Sequence, residues 1–228
     1  MVSQPLKNEL EKLKEEILKM GRLLESQVYK SVKSLVEKDI ELAYEVIATD
    51  DKIDQMELEI EKKALGLIAL KQPMASDLRF IGTALRIIID MERMGDHAED
   101  IAKITIDLHE QTYIKPLIDI PRMAKSAQKM MEIALSAFID EDTSLAMSLI
   151  PMEMEMDAIY DQIFRELLSY MMQDAKTITQ ATKLLLVAGH LERLGDHATN
   201  IAEMVFYLRE GKRIDFNELA RKECSKDK

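Results

Sequence analysis

Cysteine occurs once in the chain, at Cys224, and tryptophan not at all. A lone cysteine cannot close an intrachain disulfide, so a disulfide-stapled scaffold is excluded and a reducing compartment is expected. Only 7 Gly and 5 Pro punctuate the 228 residues, while Leu, Ile, Met, Glu, Lys and Ala dominate, a mixture of helices rather than sheets. No apolar run approaches the ~20 residues of a membrane span, and the first turn or two hold nothing resembling a signal peptide. A cytoplasmic protein is expected, reaching a membrane only through partners. Positive charge is also in deficit, with a formal net charge of -11. That removes long-range attraction to phosphate backbones or anionic lipid and argues against nucleic acid as a partner. A cationic ligand fits better, and the 16 Met read as fillers of irregular gaps between helices.

The apolar pattern is helical from the start. Ser3, Gln4 and Pro5 make a cap-like opening, and Leu6, Leu10, Leu13, Ile17, Met20 and Leu24 recur in alternating steps of four and three, the seam of a bundle helix. That helix is expected to end near Glu37. A short helix over 39–50, a second over 50–71, a turn at Pro73 and a long helix over 76–111 should follow. Pro116 and Pro121 bracket a joint.

Self-comparison reveals a tandem repeat. Residues 92–102 recur as 192–202 with 8 of 11 positions identical, and upstream Asp39, Leu42, Ala43 and Ile47 match Asp142, Leu145, Ala146 and Ile150 at an offset of 103. The fold class is all-α, two tandem pseudo-symmetric three-helix bundles. The first spans 1–118 and the second 119–228, including a charged tail from Gly211 that carries no pattern.

Carboxylates four residues apart on a helix project within 40° of one another and ~6 Å apart. Glu92 with Asp96 and Glu192 with Asp196 are such pairs, and the preceding helices supply Asp50 with Asp54 and Glu153 with Asp157. Facing residues of an antiparallel hairpin have numbers with a constant sum. Asp50 with Asp96 and Asp54 with Glu92 share one sum, which centres the first turn on Pro73. Glu153 with Asp196 and Asp157 with Glu192 share another, which centres the second between Asp174 and Ala175. Each half therefore places four carboxylates at one level across two helices, a costly arrangement unless the acids hold protons or a cation is bound. Glu57, Asp100, Asp161 and the amide of Asn200 extend the stripes. Hard oxygen ligands without thiolate favour iron, manganese, magnesium or calcium.

The stripe lies opposite Met94 and Ile101, which places it at the surface. Gly95 and Gly195 sit beside it mid-helix, where glycine costs about 1 kcal/mol relative to alanine; the missing side chain leaves room for ions or for close helix approach. Arg93 and Arg193 balance the acids or are merely exposed partners. His97 and His197 read as hydrogen-bonded histidines at the edge of the apolar face, and His109 and His190 are given no role.

The doubled Glu-Arg-x-Gly-Asp-His-Ala at residues 92–98 and 192–198, with Gln72-Pro73-Met74-Ala75-Ser76-Asp77-Leu78-Arg79 at the first turn, resembles the phosphate-uptake regulator family, PhoU. The resemblance covers nearly the whole chain. It implies two three-helix bundles and metal clusters, iron most often and zinc among the alternatives, on Asp50, Asp54, Glu92 and Asp96 with Asp100, and on Glu153, Asp157, Glu192 and Asp196 with Asn200. It also implies a negative regulator, often a homodimer, linking the subunits of a phosphate-specific ABC transporter to a phosphate-sensing histidine kinase. Tyr160 and Asn200 stand where the first half has Glu57 and Asp100, so the two clusters are expected to differ.

The competing reading is a di-iron carboxylate oxidase or a metal-storage bundle. Such bundles carry Glu-x-x-His on inward faces, but the residues three before His97, His109, His190 and His197 are Met94, Ile106, Val187 and Leu194. No Gly-rich phosphate loop or nucleophile–base pair occurs either. No catalytic residue is assigned, and a non-enzymatic protein is expected.

Overall fold

The computed structural model describes residues 4–216 together with 218 and 219. Ser3 of the cap-like opening and Cys224 in the charged tail lie outside the described residues. Six long helices carry the fold: α1 (Gln4–Glu37), α2 (Ile40–Lys71), α3 (Ser76–Leu108), α4 (Asp119–Asp140), α6 (Leu149–Gln173) and α7 (Ile178–Glu210). A five-residue helix, α5 (Thr143–Met147), precedes α6, and a 3-10 turn, Ala175–Thr177, precedes α7. Among the described residues there is no strand.

The seam read from the sequence is the buried face of α1. Leu6, Leu10, Leu13, Ile17, Met20 and Leu24 are all buried, and Val28, Val32 and Leu35 continue the row. Met20, Met91, Met94, Met123, Met130, Met131 and Met156 fill the core. The helix-free segment 72–75 and the 3-10 turn fall where the facing acids place the two turns. Equivalent starts use equivalent caps: Asp39 Oδ1 accepts from Leu42 N at 2.9 Å, and Asp142 Oδ1 from Ser144 N and Leu145 N at 2.9 and 3.0 Å, satisfying amides that a helix start leaves without partners.

The expected break before Asp50 does not occur, since α2 runs unbroken from Ile40 to Lys71. The break belongs to the second half, where α5 and α6 part at Ser148. Pro151 has no N–H to donate to the carbonyl four residues earlier. At the matching place in the first half stands Ala48, which continues the helix.

The helices α1, α2 and α3 form one bundle, and α4, α6 and α7 the other. Helix α3 packs along α7, and α1 against α4. The core is accordingly continuous across both halves, from Leu6 of α1 to Leu208 of α7. The segment between α3 and α4 is clamped by one buried side chain of α7: Gln180 Oε1 accepts from Ile114 N at 2.6 Å, and its amide donates to Thr112 O and Gln111 Oε1 at 3.0 and 3.1 Å. The tail also contributes, against expectation. Phe216 is fully buried, meets Phe206 edge-on at 5.8 Å, and its N–H donates to Glu203 Oε1 at 2.8 Å.

Candidate metal centres

Each α-helical hairpin sets its two acidic pairs within electrostatic reach of one another, although among the described residues no three of these carboxylates lie within 4.8 Å of one another. In the first, Asp54 of α2 presses electrostatically on Glu92 and Asp96 of α3, and Asp96 on Asp50. In the second, Asp157 of α6 presses on Glu192 and Asp196 of α7, and Asp196 on Glu153. Antiparallel packing at constant register does this, because acids one turn apart on each helix share a level.

The two clusters are more deeply set than the helical wheel suggests. Asp50 is 7% exposed and Glu153 8%. Burial pushes Asp50 up to about 6, with Asp54, Glu99 and Asp96 adding to the rise and a hydrogen bond from Gln27 opposing it. Burial pushes Glu153 up to about 7, helped by Asp196 and Asp157. Glu92, Asp96, Asp157, Glu192 and Asp196 are raised too, burial again leading and neighbouring carboxylates following. Arg93 and Arg193 lower the nearby glutamates only as minor contributors. Among the described residues, none of the eight principal acids has a Lys or Arg within ion-pair distance, whereas Glu99 and Asp100 share Lys103.

The neighbourhood of the repeat glycines separates the two halves. A Cβ on Gly95 would stand 2.8 Å from Asp50 Oδ1 and 3.4 Å from Gln27 Oε1, so here the glycine is the space that Asp50 occupies. Gly195 has only ordinary contacts at 3.6 Å, to Met130 and Met156. Gln27 of α1 is 1% exposed and donates to Asp50 Oδ1 at 2.9 Å, while its own Oε1 has no hydrogen-bond partner among the described residues. The offset of 103 aligns Gln27 with Met130, so the first cluster is backed by an amide and the second by a thioether. That alignment was open to the sequence, but only packing shows that α1 reaches the acids.

Asp100 and Asn200 turn toward the seam between α3 and α7. Asp100 Oδ2 lies 3.9 Å from His190 Nδ1, and Asn200 donates to Asp90 Oδ1 at 3.3 Å. The boundary histidines meet there: the rings of His97 and His197 are 5.6 Å apart, and His197 Nδ1 sits 2.9 Å from Asp90 Oδ1. Burial and the neighbouring His190 and His197 hold His97 down to about 4, so it is neutral at neutral pH. His190, given no role from the sequence, stands at the repeat equivalent of Asp90.

Among the described residues, eight carboxylates without Lys or Arg partners, two of them buried, and an orphaned buried amide oxygen beside one cluster are the hard oxygen donors that a hard cation takes. A cation would have to draw them closer than they stand here, since no three of the carboxylates lie within 4.8 Å of one another. The all-oxygen sets would supply electrostatic cross-linking of two helices when a cation is bound.

The class these features define is a tandem-repeat helical-bundle protein with an acidic hairpin in each repeat. The chain belongs to the PhoU family: the PhoU domain matches residues 17–105 and 120–205. A phosphate-specific transport system accessory protein PhoU homolog of Clostridium acetobutylicum is 37% identical over 96% of this chain and all of its own length, and one of Aquifex aeolicus is 40% identical over 94% of this chain and 97% of its own. The fold is that of the crystal structure of PhoU from Pseudomonas aeruginosa, at a TM-score of 0.86 and 38% identity, covering 90% of this chain and 99% of that one. The phosphate transport system regulatory protein PhoU from Streptococcus pneumoniae superposes at 0.85 with 33% identity, covering 92% and 99%.

Proposed function

We propose that this protein is a metal-binding regulator of phosphate uptake and phosphate-starvation signalling, an adaptor between a phosphate-specific ABC transporter and a sensor histidine kinase. Near-full-length similarity to accessory and regulatory proteins of phosphate transport supports the transport role. The observation that carries the metal reading is the pair of desolvated, cation-free carboxylate clusters at equivalent places in both halves. Iron is the leading occupant, with zinc, manganese, magnesium and calcium as alternatives. In the first half Asp50, Asp54, Glu92 and Asp96 hold the metal, and in the second Glu153, Asp157, Glu192 and Asp196; Asp100 and Asn200, expected beside them, have their contacts at the seam between α3 and α7 and stand at the margin of each set.

The protein works in the cytoplasm, as a homodimer, without catalysing a reaction. No helix among the described residues is long and apolar enough to cross a membrane, so contact with the transporter is made by docking. Against the oxidase reading stands the absence of histidine in both acidic hairpin clusters.

The regulatory role is tested by deleting the gene in its host. Phosphate-starvation genes should then stay on in phosphate-rich medium, and complementation should silence them. Normal repression in the deletion strain, with no second copy of the gene present, overturns the reading.

A further inference from the structure

On one side of the seam between α3 and α7, two imidazole rings and a carboxylate converge. His97 Nδ1 and His190 Nδ1 stand 3.3 Å apart, Asp100 Oδ2 lies 3.9 Å from His190 Nδ1, and a ligand atom of each residue falls within 4.8 Å of the other two. Among the described residues no other three His, Cys, Asp or Glu meet so closely. We infer that His97, Asp100 and His190 form a site for one borderline divalent transition ion, Zn2+ foremost, that bridges the two halves of the molecule.

The separation of the two nitrogens is the first support. Bonds of roughly 2.0–2.1 Å to a tetrahedral Zn2+ put neighbouring ligand atoms roughly 3.3–3.4 Å apart. The imidazole pair already has that spacing. Asp100 closes the third position by a small side-chain movement, which its surroundings permit: it is 44% exposed and, among the described residues, its only ion-pair contact apart from His190 is Lys103 at 3.5 Å. The His190 side chain is 14% exposed against 44% for Asp100, so solvent reaches the group from the Asp100 end.

The second support is a contrast built into the repeat. Across the local two-fold relation between α3 and α7, Asp90 and Asn200 occupy the places of His190 and Asp100. There the polar groups satisfy one another, Asp90 Oδ1 taking both His197 Nδ1 at 2.9 Å and Asn200 Nδ2 at 3.3 Å. That closed triad on one side faces, on the other, two ring nitrogens within hydrogen-bond distance of each other and a carboxylate that stands 3.9 Å from His190 Nδ1, beyond hydrogen-bond reach. The chemistry also separates this site from the acidic clusters. Two nitrogens and one oxygen select zinc and its first-row neighbours, whereas oxygen-only sets suit harder ions. The inference therefore stands whether or not the acidic clusters bind metal. Two ligands sit on α3 and one on α7, so the ion fixes the antiparallel register of the halves.

The test uses the full chain, stripped of metal, carrying Asp54→Asn and Asp157→Asn to weaken the acidic clusters. Titrated Co2+ should give the visible d–d absorption of a four-coordinate, nitrogen-ligated ion at one equivalent, and Zn2+ should displace it. Adding Asp100→Asn or His190→Gln should lower the affinity for both ions at least about tenfold, while Asp90→Asn on the closed side should not. Because Asp100 is half exposed, its variant keeps the test valid should His190→Gln fold poorly. Absence of the four-coordinate Co2+ spectrum, or unchanged affinity in Asp100→Asn, overturns the inference.

Discussion

Gly95 and Gly195 occupy the same place in the repeated motif, and identical residue types there do different work. At Gly95 a methyl group would collide with Asp50 Oδ1 at 2.8 Å, and Asp50 is itself held by Gln27. Gly95→Ala must displace Asp50 from Gln27, which offsets the gain in helix propensity, so by chemical denaturation it should be less stable than Gly195→Ala by about 1 kcal/mol or more. Gly195→Ala meets only ordinary contacts, so removing a mid-helix glycine should be neutral or stabilise by up to about 1 kcal/mol. Equal penalties at both positions would contradict this packing. Glu153 supports a second expectation. Its folded value, about 7, lies above the ordinary 4.5, so ionisation destabilises the metal-free fold as pH rises from 4.5 to 7. Metal-free Glu153→Gln escapes that loss, and its stability relative to the parent should climb by ~1–3 kcal/mol between pH 5 and 7.5. A relative stability independent of pH would show that Glu153 ionises as freely folded as unfolded.

At the level of the hairpins, α2 with α3 and α6 with α7 are separate units, each with its own four acids. Asp96→Asn should lower metal content in the first cluster and leave the second occupied, and Asp196→Asn should do the reverse, as read by metal analysis of protein purified without chelator. Once stripped, each variant should be no less stable than the stripped parent, because one carboxylate fewer relieves repulsion that burial has sharpened. Metal loss and metal-free stability thus move in opposite directions. Solvated surface acids would instead give changes below about 0.5 kcal/mol and unaltered metal content. The break between α5 and α6 is also a property of the element. Pro151 imposes it locally, and the unbroken α2 differs because Ala48 stands at that place.

In the whole molecule the tandem halves do not stand apart. Helix α3 packs along α7, one core runs through both bundles, and Gln180 ties the connecting segment to the second. The all-α class, the repeat, the seam of α1 and the two hairpins that carry the acidic pairs were legible in the chain, because helical periodicity and hairpin register are local and depend only on residue spacing. Depth was not. A helical wheel orients Asp50 and Glu153 relative to their own helix, and only the packing of other helices decides that they are desolvated. Gln27 behind the first cluster and the meeting of His97 and Asp100 with His190 are contacts between segments far apart in sequence, and Phe216 is buried by a chain reversal after α7 that no periodicity marks. The sequence by itself determined which helices form and where each acid sits around its axis; the tertiary structure alone decided what lies against that face, because burial and pKa depend on atoms that other segments bring in.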